Sequence, residues 1–274
     1  MTDAPSKQPA WDERLLRDPH AVADKRERVR KMFAAIAPSY DLNNRLHSLW
    51  QDQRWRRKAV KLAKLQENDV VVDVACGTGD LTISMAHGLW PNVGDWPPAR
   101  GQAIGIDFTF EMLPLARAKA RRFVEGKLNG RTLTTNDYML WLSADAQSLP
   151  LPDACCDVVS IAFGIRNVQD PAAALREFRR VLRPGGRAIV LEFSLPTSRA
   201  LRAMYNFYFR QILPRTATWI SGDKTGAYRY LPESVNTFIT RDKMVQMMRD
   251  AGFENVEQFP MTFGVCVCYR GARR

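Results

Sequence analysis

The chain has 274 residues, 46% of them hydrophobic, enough for one large α/β domain with additions. No stretch approaches the roughly 20 apolar residues of a membrane span, and the polar start, Met1 to Pro9, lacks a signal-peptide core, so the expected compartment is the cytoplasm. Five cysteines, Cys76, Cys155, Cys156, Cys266 and Cys268, have no metal-ligand spacing and read as free thiols, with no metal expected.

The net charge of +11 is placed unevenly. Residues 1–68 carry 15 Lys/Arg against 9 Asp/Glu, residues 196–231 carry 6 against 1, and the remainder is balanced. Such flanks serve an anionic partner or are solvated faces.

Residues 1–30 read as a mobile basic tail, with helical character from Pro19 on. Residues 29–37 predict a short helix ended by Pro38, residues 39–44 a loop with helix-capping residues, and residues 47–64 a second helix with Trp50, Trp55 and six basic residues. Residues 31–68 thus form an N-terminal helical cap, placed before the first strand and able to fold over a pocket mouth.

The central stretch is Val70-Val71-Val72-Asp73-Val74-Ala75-Cys76-Gly77-Thr78-Gly79-Asp80, followed by an amphipathic run to His87. It predicts a buried strand, a tight turn and a helix. Gly77 and Gly79 permit positive φ and let a ligand approach the backbone, and the helix start offers free N–H groups. A dinucleotide fingerprint would need a third glycine where Thr82 stands. Asp80, at the loop exit, suits a cationic ligand such as the ammonium and sulfonium of S-adenosylmethionine.

Residues 88–100, with three prolines and two tryptophans, read as an insertion. The next strand, Gln102 to Asp107, ends in an acid 34 residues beyond Asp73, or 21 without the insertion. That is the spacing of an acid that holds ribose hydroxyls; a helix-capping role for Asp107 is the other reading. Residues 132–142 predict a third strand, leading to Asp145 and Ala146, whose carboxylate and backbone N–H suit an adenine edge. Residues 156–163 predict a fourth strand, running into Gly164-Ile165-Arg166-Asn167-Val168 at the sheet edge. Asp170 and Pro171 open a helix; Arg183-Pro184-Gly185-Gly186 is a turn before a fifth strand, residues 187–193. Residues 196–231 carry Leu201, Met204, Tyr205, Tyr208 and Ile212 at helical spacing, as a core-facing stripe or as a lid for a greasy substrate or lipid. A helix over residues 241–251 and two last strands, one antiparallel, complete an α/β fold with a mostly parallel sheet.

Val72-Asp73-Val74-Ala75-Cys76-Gly77-Thr78-Gly79-Asp80, Phe163-Gly164-Ile165-Arg166-Asn167-Val168, Leu182-Arg183-Pro184-Gly185-Gly186-Arg187, Glu192-Phe193-Ser194 and Tyr228-Arg229-Tyr230-Leu231-Pro232-Glu233-Ser234 resemble the ubiquinone/menaquinone biosynthesis C-methyltransferases, from about Val29 to Gly271. The glycine loop alone marks the wider class I methyltransferases. The resemblance implies a Rossmann-like, seven-stranded sheet with helices on both faces, residues 69–274 forming the S-adenosylmethionine-binding domain and residues 196–231 its lid, substrate or membrane segment. It implies S-adenosylmethionine as methyl donor and ring-carbon methylation of a polyprenyl benzoquinol (2-polyprenyl-6-methoxy-1,4-benzoquinol), of demethylmenaquinol, or of both. Cofactor contacts fall on Thr78, Asp107, Asp145 and Ala146, with Asp73, Gly77 and Gly79 framing the loop. Cys76 stands where the family usually has glycine, and Ala162 where some relatives place a serine on the cofactor.

A quinol ring carbon becomes nucleophilic when a neighbouring hydroxyl ionises. Arg166 is the expected phenolate-stabilising cation, or else a structural arginine bonding strand-end carbonyls. Asn167 is expected to orient the ring and Tyr40 to relay the proton, or merely to cap a helix. The oily tail implies peripheral contact with the inner face of the membrane through residues 1–68 and 196–231. A quinone-biosynthesis complex and a homodimer are the protein partners considered. No nucleic acid is expected, although an RNA or protein methyltransferase, or a non-catalytic cofactor-binding subunit, is the alternative reading.

Overall fold

The computed structural model describes residues 10–89, 102–125, 139–223 and 225–274. Seven strands form one sheet: β1 (Val70–Val74), β2 (Gln102–Asp107), β3 (Met139–Ser143), β4 (Cys156–Ala162), β5 (Leu182–Phe193), β6 (Glu254–Met261) and β7 (Cys266–Ala272), in the order β3-β2-β1-β4-β5-β7-β6. Only β7 runs against its neighbours, as the sequence predicts. β1 is buried along most of its length because parallel strands are covered on both faces, which its valine run suits. Strand order reverses between β1 and β4, where open α/β sheets bind ligands.

Helices cover both faces. On one lie α3 (Gln51–Ala63) and α4 (Asp80–Leu89), packing Trp55, Ala59, Leu81 and Met85 onto Val71 and Ala103. Cys266 and Cys268 share that core as free thiols. α5 (Leu113–Glu125) flanks β3. The other face takes α6 (Pro171–Val181) and α10 (Arg241–Asp250), with Leu175, Phe178, Met244 and Met248 on Val72, Val74 and Ile104. Asp170 accepts from the Ala172 and Ala173 N–H groups, the expected cap of α6. Among the described residues, no helix is long and apolar enough to cross a membrane.

A third core lies outside the sheet. α1 (Lys25–Ile36) and the chain before it pack against α7 (Arg199–Phe207), α8 (Leu213–Ser221), a π-helical turn between these two, and α9 (Ala227–Asn236). The two basic flanks of the sequence therefore meet. Trp11 is 0% exposed, its ring 4.3 Å from that of Tyr230, and its backbone N–H donates to the Thr225 carbonyl. The expected mobile tail over residues 1–30 does not hold from residue 10 onward.

Other boundaries move. The expected loop at residues 39–44 lies mostly within α2 (Tyr40–Ser48), and the expected helix over 47–64 breaks at Leu49 and Trp50, both left-handed at φ 50° and 59°. β5 begins at Leu182, absorbing the expected turn with a register shift against β4. The expected third strand is seen as β3 from Met139 to Ser143, and its earlier part, residues 132–138, lies outside the described residues. α4 runs to Leu89, so the start of the expected insertion is helical, and residues 90–101 lie outside the described residues.

Candidate active site

The glycine turn leaves β1 through three left-handed residues: Ala75 (φ 51°), Gly77 (56°) and Gly79 (83°). Asp107 closes the neighbouring strand. Its carboxylate accepts the Gly77 N–H and the Thr109 N–H, each at 2.7 Å, so one acid fixes both the loop and the next turn. Burial raises its pKa, against the pull of these backbone donors.

A cavity of about 100 Å³ lies over this edge. Its floor holds Ala75, Gly77 and Asp107; one end holds Phe108, Asp145 and Ala146; the other holds Ala162, Phe163 and Asn167. The roof is α1, through Arg26, Val29, Arg30 and Phe33, together with Tyr40. Arg26 pairs with Asp145 at 3.0 Å and lies 4.3 Å from the Phe108 ring centre. The α1 roof is clipped down: Lys25 Nζ donates to the Val168 carbonyl at 2.7 Å, and the Arg26 N–H to Gln169 at 3.1 Å. A carboxylate at the second strand end, a carboxylate with a backbone amide at the third and an apolar slot between them fit the sugar and base of an adenosyl group.

The sequence-predicted residues divide. Gly77, Asp107, Asp145, Ala146, Asn167 and Tyr40 line this cavity. Asp73 does not: it is buried beneath the loop, accepting from Thr82 Oγ1 at 2.6 Å and Ser160 Oγ at 2.7 Å. Burial pushes its pKa up to about 6 despite those two donors. Thr82, where a third glycine would stand, is thus needed for its hydroxyl. Gly79 is required by packing rather than by ligand approach, since a Cβ there would meet Trp141 at 2.7 Å. Thr78 turns its hydroxyl to Asp41 (2.6 Å) and Lys119 (3.0 Å). The expectation that Asp80 attracts a cationic ligand is corrected: it accepts from Arg45, Gln53 and Lys119. Burial opposes its ionisation, but Arg56, Lys119 and Arg45 outweigh this and hold the carboxyl at about 2. It is an already neutralised staple between the cap and the loop.

A second, mainly apolar cavity of about 400 Å³ adjoins the first. Met32 and Ile36 of α1, Phe193 of β5, and Tyr205, Phe209 and Leu213 of the 196–231 segment supply much of its wall. Phe33, Tyr40 and Phe163 line both cavities. Arg166 reaches this wall but is 3% exposed; it bonds Glu192 and the Phe163 carbonyl, each at 2.7 Å, and Ser234. That is the structural reading of Arg166, not the free cation. Asn167 lines only the first cavity, donating to the Phe163 carbonyl and accepting from the Tyr230 hydroxyl at 3.0 Å. Burial raises the Tyr40 phenol above its ordinary value, so Tyr40 is protonated at neutral pH. Sequence reasoning missed the α1 face; Arg26, Val29, Arg30 and Phe33 are spaced i, i+3, i+4 and i+7, a helical stripe that crosses charged and apolar residues alike.

The sequence profile of the ubiE/COQ5 methyltransferase family matches residues 21–273. A ubiquinone/menaquinone biosynthesis C-methyltransferase of Geobacter sulfurreducens is 40% identical, over 93% of this chain and 91% of that one. A demethylmenaquinone methyltransferase of Thermus thermophilus is 43% identical, over 88% of this chain and all of that one. Among solved structures, an S-adenosylmethionine-dependent methyltransferase from Thermotoga maritima superposes with a TM-score of 0.58 at 18% identity, over 90% of this chain and all of that one, which shows the shared fold.

Proposed function

We infer that the chain, which belongs to the ubiE/COQ5 methyltransferase family, is an S-adenosylmethionine-dependent C-methyltransferase of quinone biosynthesis. The observation that carries this reading is the pair of adjoining cavities: one fits an adenosyl group, the other is apolar, and Tyr40 and Phe163 line both. The substrate is a prenylated quinol, a benzoquinol or demethylmenaquinol, with its ring at that shared wall and its tail in the larger cavity.

S-adenosylmethionine bound in the first cavity supplies a methyl carbon on cationic sulfur, which a ring carbon takes with release of a neutral thioether and one proton. The chain supplies position and electrostatics. Asp107 holds the sugar hydroxyls and Gly77 the backbone edge beside them. Asp145 and Ala146 meet the base, and Phe108 lines the same end of the cavity. Arg166 and Asn167 act as positioning residues, fixing the Phe163 carbonyl and Tyr230 rather than touching the substrate. Residues 69–274 form the methyltransferase domain, residues 196–231 its lid, and residues 10–68 the cap.

The same segments meet an anionic membrane surface. The two segments are in contact: α2 touches α8, and His47 lies 3.2 Å from the Tyr208 hydroxyl. Leu49 (76% exposed), Trp50, Phe207 and Trp219 (86%) are exposed along these segments. Every exposed charged side chain over residues 40–63 and 199–221 is Arg or Lys. Apolar anchors among basic residues match an interfacial site.

The test incubates the purified chain with S-adenosylmethionine carrying a labelled methyl group and with short-tailed quinols of both classes. The expected product carries the label on a ring carbon. Label transferred instead to RNA or protein, or cofactor binding without turnover on any quinol, would replace this reading with the alternatives.

A further inference from the structure

Two guanidinium groups reach the larger cavity, and they differ. That of Arg166 is met by Glu192, the Phe163 carbonyl and Ser234. That of Arg56, 6% exposed, bonds the Asp52 carboxylate at 3.0 Å and the Asp52 carbonyl at 3.3 Å, yet its Nε is buried with no hydrogen-bond partner. The Phe163 ring centre lies 5.2 Å from the Arg56 guanidinium carbon, so a π face is its nearest substitute for an acceptor. Asp52, one turn earlier on α3, is fully engaged by Ser48, Gln53 and Arg56. It is also the single carboxylate among the described residues lining this cavity.

Burying an ion pair costs desolvation, which is returned only when the remaining donors are satisfied. An unmet donor deep in a wall therefore calls for an explanation. Here the carboxylate is complete and the guanidinium is not, so the pair lacks one acceptor. It lacks it beside Phe163, which lines both cavities. Tyr40, which also lines both cavities, feels the same cation: burial raises its phenol, and Arg56 is the strongest charge pulling the other way.

We propose, resting on the function inferred above, that Arg56, steered by Asp52, binds the ionised ring oxygen of the quinol beside the carbon that is methylated. A phenolic hydroxyl ordinarily ionises near pH ~10. A cation in hydrogen-bond contact favours the ionised form and gives a charge-assisted bond to it. The hydroxyl proton passes to water. The ring carbon then bonds the methyl carbon as the carbon–sulfur bond breaks onto sulfur. Loss of the proton from that ring carbon restores the aromatic ring, and the oxygen regains a proton, for one proton released in all. Arg56 holds charge throughout and takes no proton. Its carboxylate partner keeps the substrate-free wall neutral, so an oily ring meets no bare ion on the way in.

The test compares the wild-type chain with Arg56→Lys and with the double variant Asp52→Asn/Arg56→Gln, which removes both charges at nearly constant shape. Melting curves and calorimetry with S-adenosylhomocysteine report the fold and the first cavity. We expect the double variant to melt cooperatively and to bind S-adenosylhomocysteine within a few-fold of the wild type, since Arg45, Gln53 and Lys119 still hold Asp80 of the glycine loop directly. Its kcat on a short-tailed quinol falls roughly 100-fold, with a smaller change in KM. The rise of kcat with pH moves up by about one unit or more, because the oxygen must ionise unaided. Arg56→Lys, which keeps the charge but not the planar fork, falls between the two. A folded double variant with wild-type kcat and pH profile would overturn the proposal. So would loss of S-adenosylhomocysteine binding in step with activity, which would make the pair a support of the first cavity. Failure of the wild-type chain itself to methylate any quinol would overturn the functional reading and this proposal with it.

Discussion

The two cavities are built in opposite ways. The adenosyl cavity has a floor of strand ends, and its key acid is held by backbone N–H groups of adjacent turns. The larger cavity meets the sheet and its covering helix α3 at Phe163, Phe193, Trp55 and Arg56; most of the rest of its wall comes from helices that share their own core around Trp11, Tyr205 and Tyr230. The floor of the first is as rigid as the sheet, while its roof is α1 of the satellite core. The second is as stable as a small satellite core, and it can loosen while the sheet stays folded. An enzyme that must exchange a long oily substrate gains from that division, because the floor of strand ends stays in place when the satellite core opens.

The sharpest way to break this comparison is to unseat the satellite core alone. Trp11→Ala removes a fully buried ring from the interface of the two flanks, at a cost of about 3–5 kcal/mol. We expect early proteolysis within residues 10–24, before the α1 roof, and loss of quinol turnover, with a smaller loss of S-adenosylhomocysteine binding because the floor of strand ends stays in place. A single cooperative loss of both would show one core, not two.

The first cavity is tested from below by pH. The Asp73 carboxyl is raised to about 6 in the fold and lies near ~3.9 in the unfolded chain. Its neutral form suits the fold, so its contribution is fully present below pH ~3.9 and is lost as pH rises through about 6. The loss amounts to about 3 kcal/mol. Asp73→Asn, which cannot ionise, should therefore gain on the wild type in chemical denaturation between pH 4 and pH 8. A constant difference across that range would contradict the assignment.

Asp107→Ala sharpens the contrast from the other side. Two backbone N–H groups lose their acceptor and the sugar loses its own, so affinity for S-adenosylhomocysteine should fall roughly 100-fold by calorimetry. The satellite core should keep its protection from proteolysis. The smallest effect is expected at the rim. Trp219→Ser should weaken flotation with anionic liposomes by about 1 kcal/mol at low salt, leaving melting temperature and turnover on a soluble short-tailed quinol near wild type. Unchanged flotation would remove the membrane face.

The same division decides what was legible in the sequence. The sheet, the glycine turn, the Asp107 spacing and the Asp170 cap announce themselves through contiguous motifs, because neighbours in the chain there are neighbours in space. Asp73, Thr78 and Asp80 stand in the same motif, yet their partners come from elsewhere: Ser160 on β4, Asp41 on α2, Arg45 and Lys119 from the cap and α5. Nothing in the local pattern separates an acid that meets a ligand from one that is already paired. The break at Leu49 and Trp50 carries no glycine or proline signal, since large side chains rarely adopt positive φ. The satellite core joins residues about 200 positions apart in the chain, beyond the reach of any periodicity, so its two halves read as separate basic flanks.

The central claim is that a methyl donor and an oily quinol lie on the two sides of one wall formed by Tyr40 and Phe163. A crystal structure with S-adenosylhomocysteine and a short-tailed quinol bound together tests it directly. The account predicts sulfur above Gly77, the ring carbon facing it past Phe163, and the tail among Met32, Tyr205 and Phe209. A quinol ring bound elsewhere, with the larger cavity empty, would contradict it.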